Sequence, residues 1–118
     1  GASKAVCKAL EELNLSYQYV SRKASEKTIT YNDITKEIID DHTVIINCTP
    51  LGTFPDIDNA PDIPYQYINN NHLLFDLVYN PEETKFLRLG KEQGATTKNG
   101  YEMLVLQAQA AWEFWNNK

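Results

Sequence analysis

Thr43-Val44-Ile45-Ile46-Asn47-Cys48 and His72-Leu73-Leu74-Phe75-Asp76-Leu77-Val78-Tyr79 are the two stretches on which the fold turns. Both are apolar at successive positions rather than at every second one, and the first is largely β-branched. A half-solvated strand alternates apolar and polar residues with period two. A run that is apolar on both faces belongs instead to a strand covered by helices on each side, as in a parallel sheet.

Working outward from these runs, Ser16–Ser21 (SYQYVS) and Ala95–Lys98 read as two further short strands. Helical patterns separate the four. Val6, Ala9, Leu10 and Leu13 recur at helical spacing, with Asn14 as the stop. Asn32 or Asp33 caps a short second helix through Asp40, with Ile34, Ile38 and Ile39 as its apolar stripe. Pro81 at a first helical position, with Glu82 and Glu83 after it, predicts a helix to about Lys91, ended by Gly94. Gly100 leads into a last helix over Tyr101–Asn116, in which Met103, Gln107, Ala111 and Phe114 share a face. Arg22–Thr28 is polar and basic and reads as a loop. So does Thr49–Pro64, which carries Pro50, Gly52, Pro55, Pro61 and Pro64. Alternating helices and strands predict an α/β fold, with parallel strands joined by right-handed crossovers into an open, doubly wound sheet.

The 118 residues suffice for one domain, and 42% hydrophobic with 23% charged residues is a globular balance. A net charge of −5 argues against nucleic acid as a partner, since phosphates call for a basic face. The longest apolar run is strand-sized, far below the roughly 20 residues of a membrane-spanning helix, so no membrane partner is expected. Cys7 and Cys48 have neither the number nor the spacing of a disulfide framework or a zinc site; two reduced thiols in a cytoplasmic protein are expected. Gly1-Ala2-Ser3-Lys4 lacks the features of a signal peptide and reads as a helix N-terminus. A chain opening at a helix cap is expected to be a fragment of something longer.

In doubly wound sheets, ligands sit beyond the carboxyl ends of the strands. The first strand exits into Ser21-Arg22-Lys23, where dinucleotide folds place an acid for a ribose 2′-hydroxyl or basic residues for a 2′-phosphate; the other reading is a solvated basic loop. The second exits into Asn47-Cys48-Thr49-Pro50-Leu51-Gly52, a tight turn that offers the Thr49 hydroxyl. The third ends at Asp76-Leu77-Val78-Tyr79-Asn80-Pro81. Here Asp76 needs a partner or an exposed position, and the Tyr79 phenol either meets a ligand or packs the rim. Gln107 puts an amide beside an apolar helix stripe, which is costly unless the amide is hydrogen-bonded, reaches a ligand cavity or keeps its head in water. His42 and His72 precede strands and read as loop residues away from the chemistry.

Taken in order, these motifs resemble the NADP-binding domain of the shikimate dehydrogenases along nearly the whole chain. Gly1-Ala2-Ser3-Lys4-Ala5 resembles the end of the family's glycine-rich loop, Ser21-Arg22-Lys23 its Asn-Arg-Thr motif, Asn47–Gly52 its N-A-T-P-L-G turn and Asp76–Pro81 its D-x-x-Y-x-P segment. Gly100 with Met103–Ala108 resembles G-x-x-M-L-V-x-Q-A. The resemblance implies a Rossmann-like, mostly parallel sheet lacking its first strand, NADP as cofactor, and shikimate or 3-dehydroshikimate as the substrate of a parent enzyme. It implies that Gly1 and Ala2 approach the pyrophosphate and that Arg22 binds the 2′-phosphate with Ser21 and Lys23 beside it. Thr49, Leu77 and Gly100 would line the nicotinamide side, while Tyr79 and Gln107 would hydrogen-bond the substrate. Ser21, Lys23 and Glu26 depart from the phosphate motif, which leaves an NAD-using quinate/shikimate relative as an alternative; a non-catalytic nucleotide-binding or interaction module is another. The family's catalytic Lys and Asp have no counterpart here, so the fragment is expected to be inactive. A sheet without its first strand is expected either to close up or to self-associate.

Overall fold

The computed structural model describes residues 2–78 and 80–100. Gly1, Tyr79 and the expected last helix, with Gln107, lie outside the described residues. Helix α1 (Ala2–Glu12) ends in a left-handed Asn14, at φ 59°. There Leu15 N–H donates to Leu10 O at 2.9 Å and Asn14 N–H to Glu11 O at 3.0 Å. This paired closure satisfies carbonyls that the last turn leaves free. The expected apolar stripe is only partly covered: Val6 and Leu10 are half-buried, whereas Leu13 is 68% exposed.

Strand β1 (Tyr19–Ser21) pairs in parallel with β2 (Thr28–Thr30), in the register Tyr19↔Thr28, Val20↔Ile29, Ser21↔Thr30. β2 takes Thr28, the last residue of the expected loop, and adds Ile29 and Thr30, which the sequence pattern assigns to no element. With one apolar residue in three, it is too short for a period-two pattern to show. Asp33 does not cap the next helix. Its carboxylate accepts from Thr30 N at 2.9 Å and Thr30 Oγ1 at 2.8 Å, closing a 3-10 turn over Tyr31–Asp33. Helix α2 (Lys36–Asp41) is capped instead by Thr35, whose hydroxyl accepts from Ile38 N at 3.3 Å.

Strands β3 (Val44–Asn47), β4 (Leu73–Asp76) and β5 (Thr96–Lys98) form a separate parallel sheet in the order β3-β4-β5. The strands are parallel and helix-flanked as expected, but they make two sheets, with no ladder between β1 and β3 among the described residues. The flanking strands have therefore not closed up. Only β4 is covered as the sequence suggests, with Leu74 fully buried, whereas Val44 on β3 is 51% exposed. β3 ends its sheet, and that position explains the difference.

Helix α3 (Lys85–Glu92) begins later than Pro81 predicts. Thr84 is its cap, with the hydroxyl accepting from Leu87 N at 3.3 Å, and Pro81–Glu83 lie ahead of the helix. Gly94, at φ +92°, ends it as expected, and Ala95 N–H donates to Gly90 O at 3.1 Å. α3 lies tightly on β4, because a Cβ at Gly90 would run into the Leu74 side chain. Phe86, Leu87, Leu74, Ile39, Ile68 and Ala95 form the core. His72 stands in the loop just ahead of β4, as expected, but is buried rather than solvated. Its Nδ1 accepts from Asn69 N at 3.1 Å, which puts the proton on Nε2, and Nε2 donates to Ile39 O at 2.8 Å. The ring thereby fastens α2 to the start of β4.

Candidate functional site

The carboxyl ends of β3 and β4 are joined by one buried carboxylate. Asp76 is fully buried, as an acid in an apolar strand can be only when its oxygens are occupied. Its Oδ1 accepts from Val78 N at 2.9 Å and Asn47 Nδ2 at 3.1 Å; its Oδ2 accepts from Thr84 Oγ1 at 2.6 Å. Burial pushes this carboxyl above the ordinary aspartate range, and the hydrogen bonds from Thr84, Val78 and Asn47 pull it partly back. Asn47 relays the arrangement onward, its Oδ1 accepting from Thr49 Oγ1 at 2.7 Å and Thr49 N at 3.0 Å. Thr49 Oγ1 accepts in turn from Leu51 N at 3.2 Å. The Thr49 proton is thus spent inside the turn, where the sequence suggested a hydroxyl free for a ligand.

Above this network lies a cleft of about 470 Å³, lined by Cys48, Thr49, Pro50, Thr53, Leu77, Val78 and Asn80. Phe54 N–H donates to Asn80 O at 2.9 Å, tying the proline-rich loop to the end of β4. Gly100 adjoins the wall. Its N–H donates to Val78 O at 3.2 Å, and a Cβ on it would overlap the Leu77 carbonyl. Thr49, Leu77 and Gly100, three residues singled out from the sequence, therefore meet at one place. Burial pushes the Cys48 thiol up, with Cys7 and the Asp76 carboxylate adding to the shift. The cleft wall therefore carries a neutral thiol and feels the buried charge.

The basic group lies elsewhere. Ser21 closes β1, Arg22 and Lys23 follow it, and no hydrogen bond or ion pair links them to the cleft among the contacts of the described residues. β2 supplies what the sequence did not show: with Ser21 paired to Thr30, Arg22 and Tyr31 leave their strands side by side. Burial raises the Tyr31 phenol, and the Arg22 guanidinium opposes that shift. Ala2 opens α1. Gly1, Tyr79 and Gln107 fall outside the described residues. Asn47 and Thr84 went unmarked in the sequence, since their role rests on contacts 29 and 8 residues away in the chain. Asp76 alone signalled it, as an acid in need of partners. Among the described residues no group of three or more His, Cys, Asp or Glu could hold a metal ion, and no helix is long and apolar enough to cross a membrane.

No family model matches the chain. A shikimate dehydrogenase (NADP(+)) of Methanosphaera stadtmanae is 36% identical over 135 aligned residues, covering 100% of this chain and 48% of that protein. The crystal structure of a chorismate mutase/shikimate 5-dehydrogenase fusion protein from Clostridium acetobutylicum superposes with a TM-score of 0.74 at 35% identity, over 99% of this chain and 43% of that one. A shikimate 5-dehydrogenase from Thermus thermophilus, solved with NADP(H) and shikimate, gives a TM-score of 0.74 at 25% identity, over 97% of this chain and 45% of that one. The chain spans about half the length of the curated relatives it matches. Over that half, in sequence and in fold, it belongs to the shikimate dehydrogenase family.

Proposed function

We propose that this chain is the C-terminal NADP-binding domain of a shikimate dehydrogenase, whose parent protein reduces 3-dehydroshikimate to shikimate with NADPH. The carrying observation is that Thr49 and Leu77 line one cleft at the carboxyl ends of parallel strands, with Gly100 packed against Leu77. That is where doubly wound folds bind nucleotides. The residues fit such a cofactor. Pro50, Leu77 and Val78 offer apolar surface for a flat ring, and Gly100 lets its backbone pack directly on the Leu77 carbonyl, which sets that wall. Arg22, with Ser21 and Lys23, is the group to hold a 2′-phosphate, an oxyanion that guanidinium binds through two parallel donors. Gly1 and Ala2 would face the pyrophosphate from the start of α1.

NADPH supplies the hydride, and this chain binds and orients it. Tyr79 and Gln107 are assigned to hydrogen bonds with the substrate. The acid–base pair of the family has no counterpart among these residues, so the chain alone is expected to reduce no dehydroshikimate. Two free thiols, Cys7 and Cys48, suit a reducing cytoplasmic setting. Calorimetric titration of the chain with NADP⁺ and NAD⁺ tests the reading. Weak binding of NADP⁺ with a clear preference over NAD⁺ is expected; a preference for NAD⁺ would favour the quinate/shikimate alternative, and binding of neither at millimolar cofactor would overturn the assignment.

A further inference from the structure

The charge of Asp76 does more than the packing of two strand ends requires. The carboxylate is fully buried, and its three donors, Asn47 Nδ2, Val78 N and Thr84 Oγ1, are all neutral. A structural hub could be built from a neutral amide or hydroxyl at much lower desolvation cost, because a buried ion without a counter-ion is held at the expense of its hydration. Asp76 does not line the cleft, but it is bonded to residues that do. Val78 donates to it and lines the cleft, the intervening Leu77 lines the cleft too, and Thr49 is tied to it through Asn47. The lining thiol of Cys48 senses the same charge.

Resting on the nucleotide reading above, we infer that Asp76 is an electrostatic positioning residue whose buried carboxylate makes the cleft prefer the oxidised cofactor, with its cationic nicotinamide, over the neutral reduced ring. The two forms share every phosphate, ribose and adenine contact and differ at the nicotinamide by one positive charge and one hydride. A fixed negative charge bonded to the cleft's lining would therefore separate them where shape cannot. At an effective dielectric near 20, a unit charge about 12 Å away already shifts a binding constant by about tenfold.

The test compares the affinities of NADP⁺ and NADPH for the full 118-residue chain and its variants. The unaltered chain should bind NADP⁺ about tenfold more tightly than NADPH, with the ratio falling close to one in Asp76→Asn. Thr84→Val, which removes a hydrogen bond and, at a pH well above the raised carboxyl, keeps the charge, should weaken both forms alike and leave the ratio in place. A role confined to structure would change the two affinities together in every variant. Equal affinities in the unaltered chain would overturn the inference even if Asp76→Asn does not fold, as would an unchanged ratio in a folded Asp76→Asn. In both of those cases the nucleotide reading stands. Failure of the unaltered chain to bind either form would overturn both.

Discussion

Gly100 packs against the carbonyl of Leu77 so closely that any Cβ at this position would overlap it. The contact is backbone on backbone, and the Gly100 N–H to Val78 O bond at 3.2 Å holds it in place. A neighbouring side chain could swing aside for a methyl group, but a carbonyl in the segment that leaves β4 cannot. Gly100→Ala is therefore expected to destabilise the chain by about 1–3 kcal/mol, the usual cost of overpacking, and to distort the Leu77 wall of the cleft. Denaturant unfolding gives the first effect and cofactor titration the second. Wild-type stability would show that the segment after β5 can move away from β4.

Arg22 sits at the end of β1, in the sheet that does not carry the cleft. Its assigned task, gripping the 2′-phosphate, predicts a selective defect. Arg22→Ala should weaken NADP⁺ roughly ten- to a hundredfold, the equivalent of about 1.5–3 kcal/mol for a charge-assisted contact, and leave NAD⁺ nearly untouched. Equal losses for the two cofactors, measured by titration, would remove Arg22 from the phosphate site.

How far the sequence reveals all this depends on the range of the interactions involved. β3, β4 and α3 are legible because their patterns are local, and Asn14 and Gly94 mark helix ends because a left-handed residue is what each end requires. The start of α3 is not. Pro81 followed by two acids is a sound local signature, yet Thr84 takes the cap, its hydroxyl shared between Leu87 N and the carboxylate of Asp76 on β4. Asn32, Asp33 and Thr35 are all capable caps for α2, and the choice falls to Thr35 because Asp33 is already held by Thr30. β2 is three residues long and exists only as a partner for β1, so the placement of Tyr31 beside Arg22 could not be foreseen. At the site, Thr49 is legible as a strand-end hydroxyl, whereas Leu77 and Gly100 are legible only through the family motifs they resemble. The hub that joins two of their segments, Asn47–Asp76–Thr84, is a tertiary fact of which only Asp76 gave notice.

Asp76 also predicts how stability responds to pH. Its carboxyl is raised in the folded chain, mainly by burial. The folded state therefore keeps the proton to higher pH than the unfolded state does, and binds more protons between the two values. Stability from this group is fully present below the ordinary aspartate value and is lost as pH rises from there through the raised one. Thr84→Val removes a hydrogen bond that lowers the carboxyl, so the loss should extend to higher pH. Asp76→Asn should lack this segment of the profile altogether. Denaturation midpoints across the mildly acidic range test both, and a profile that Thr84→Val leaves unmoved would mean that the carboxylate does not depend on that hydroxyl.

The two sheets leave β1 and β3 each paired on one side only among the described residues, since β1 meets β2 and β3 meets β4. β3 combines that open edge with a 51% exposed Val44, and Tyr19 on β1 is 37% exposed. Open edges with apolar side chains are templates for pairing with a second chain, whereas a lysine on such an edge blunts it. The 118-residue chain is accordingly expected to associate with itself as concentration rises, and Val44→Lys should shift it towards monomer in sedimentation velocity. Leu13→Lys serves as the control, because Leu13 on α1 is 68% exposed but belongs to no strand. If Leu13→Lys disperses the chain and Val44→Lys does not, association runs through the half-covered face of α1. A chain that is monomeric at every concentration would mean that the open edge of β3 is protected in solution without a second copy.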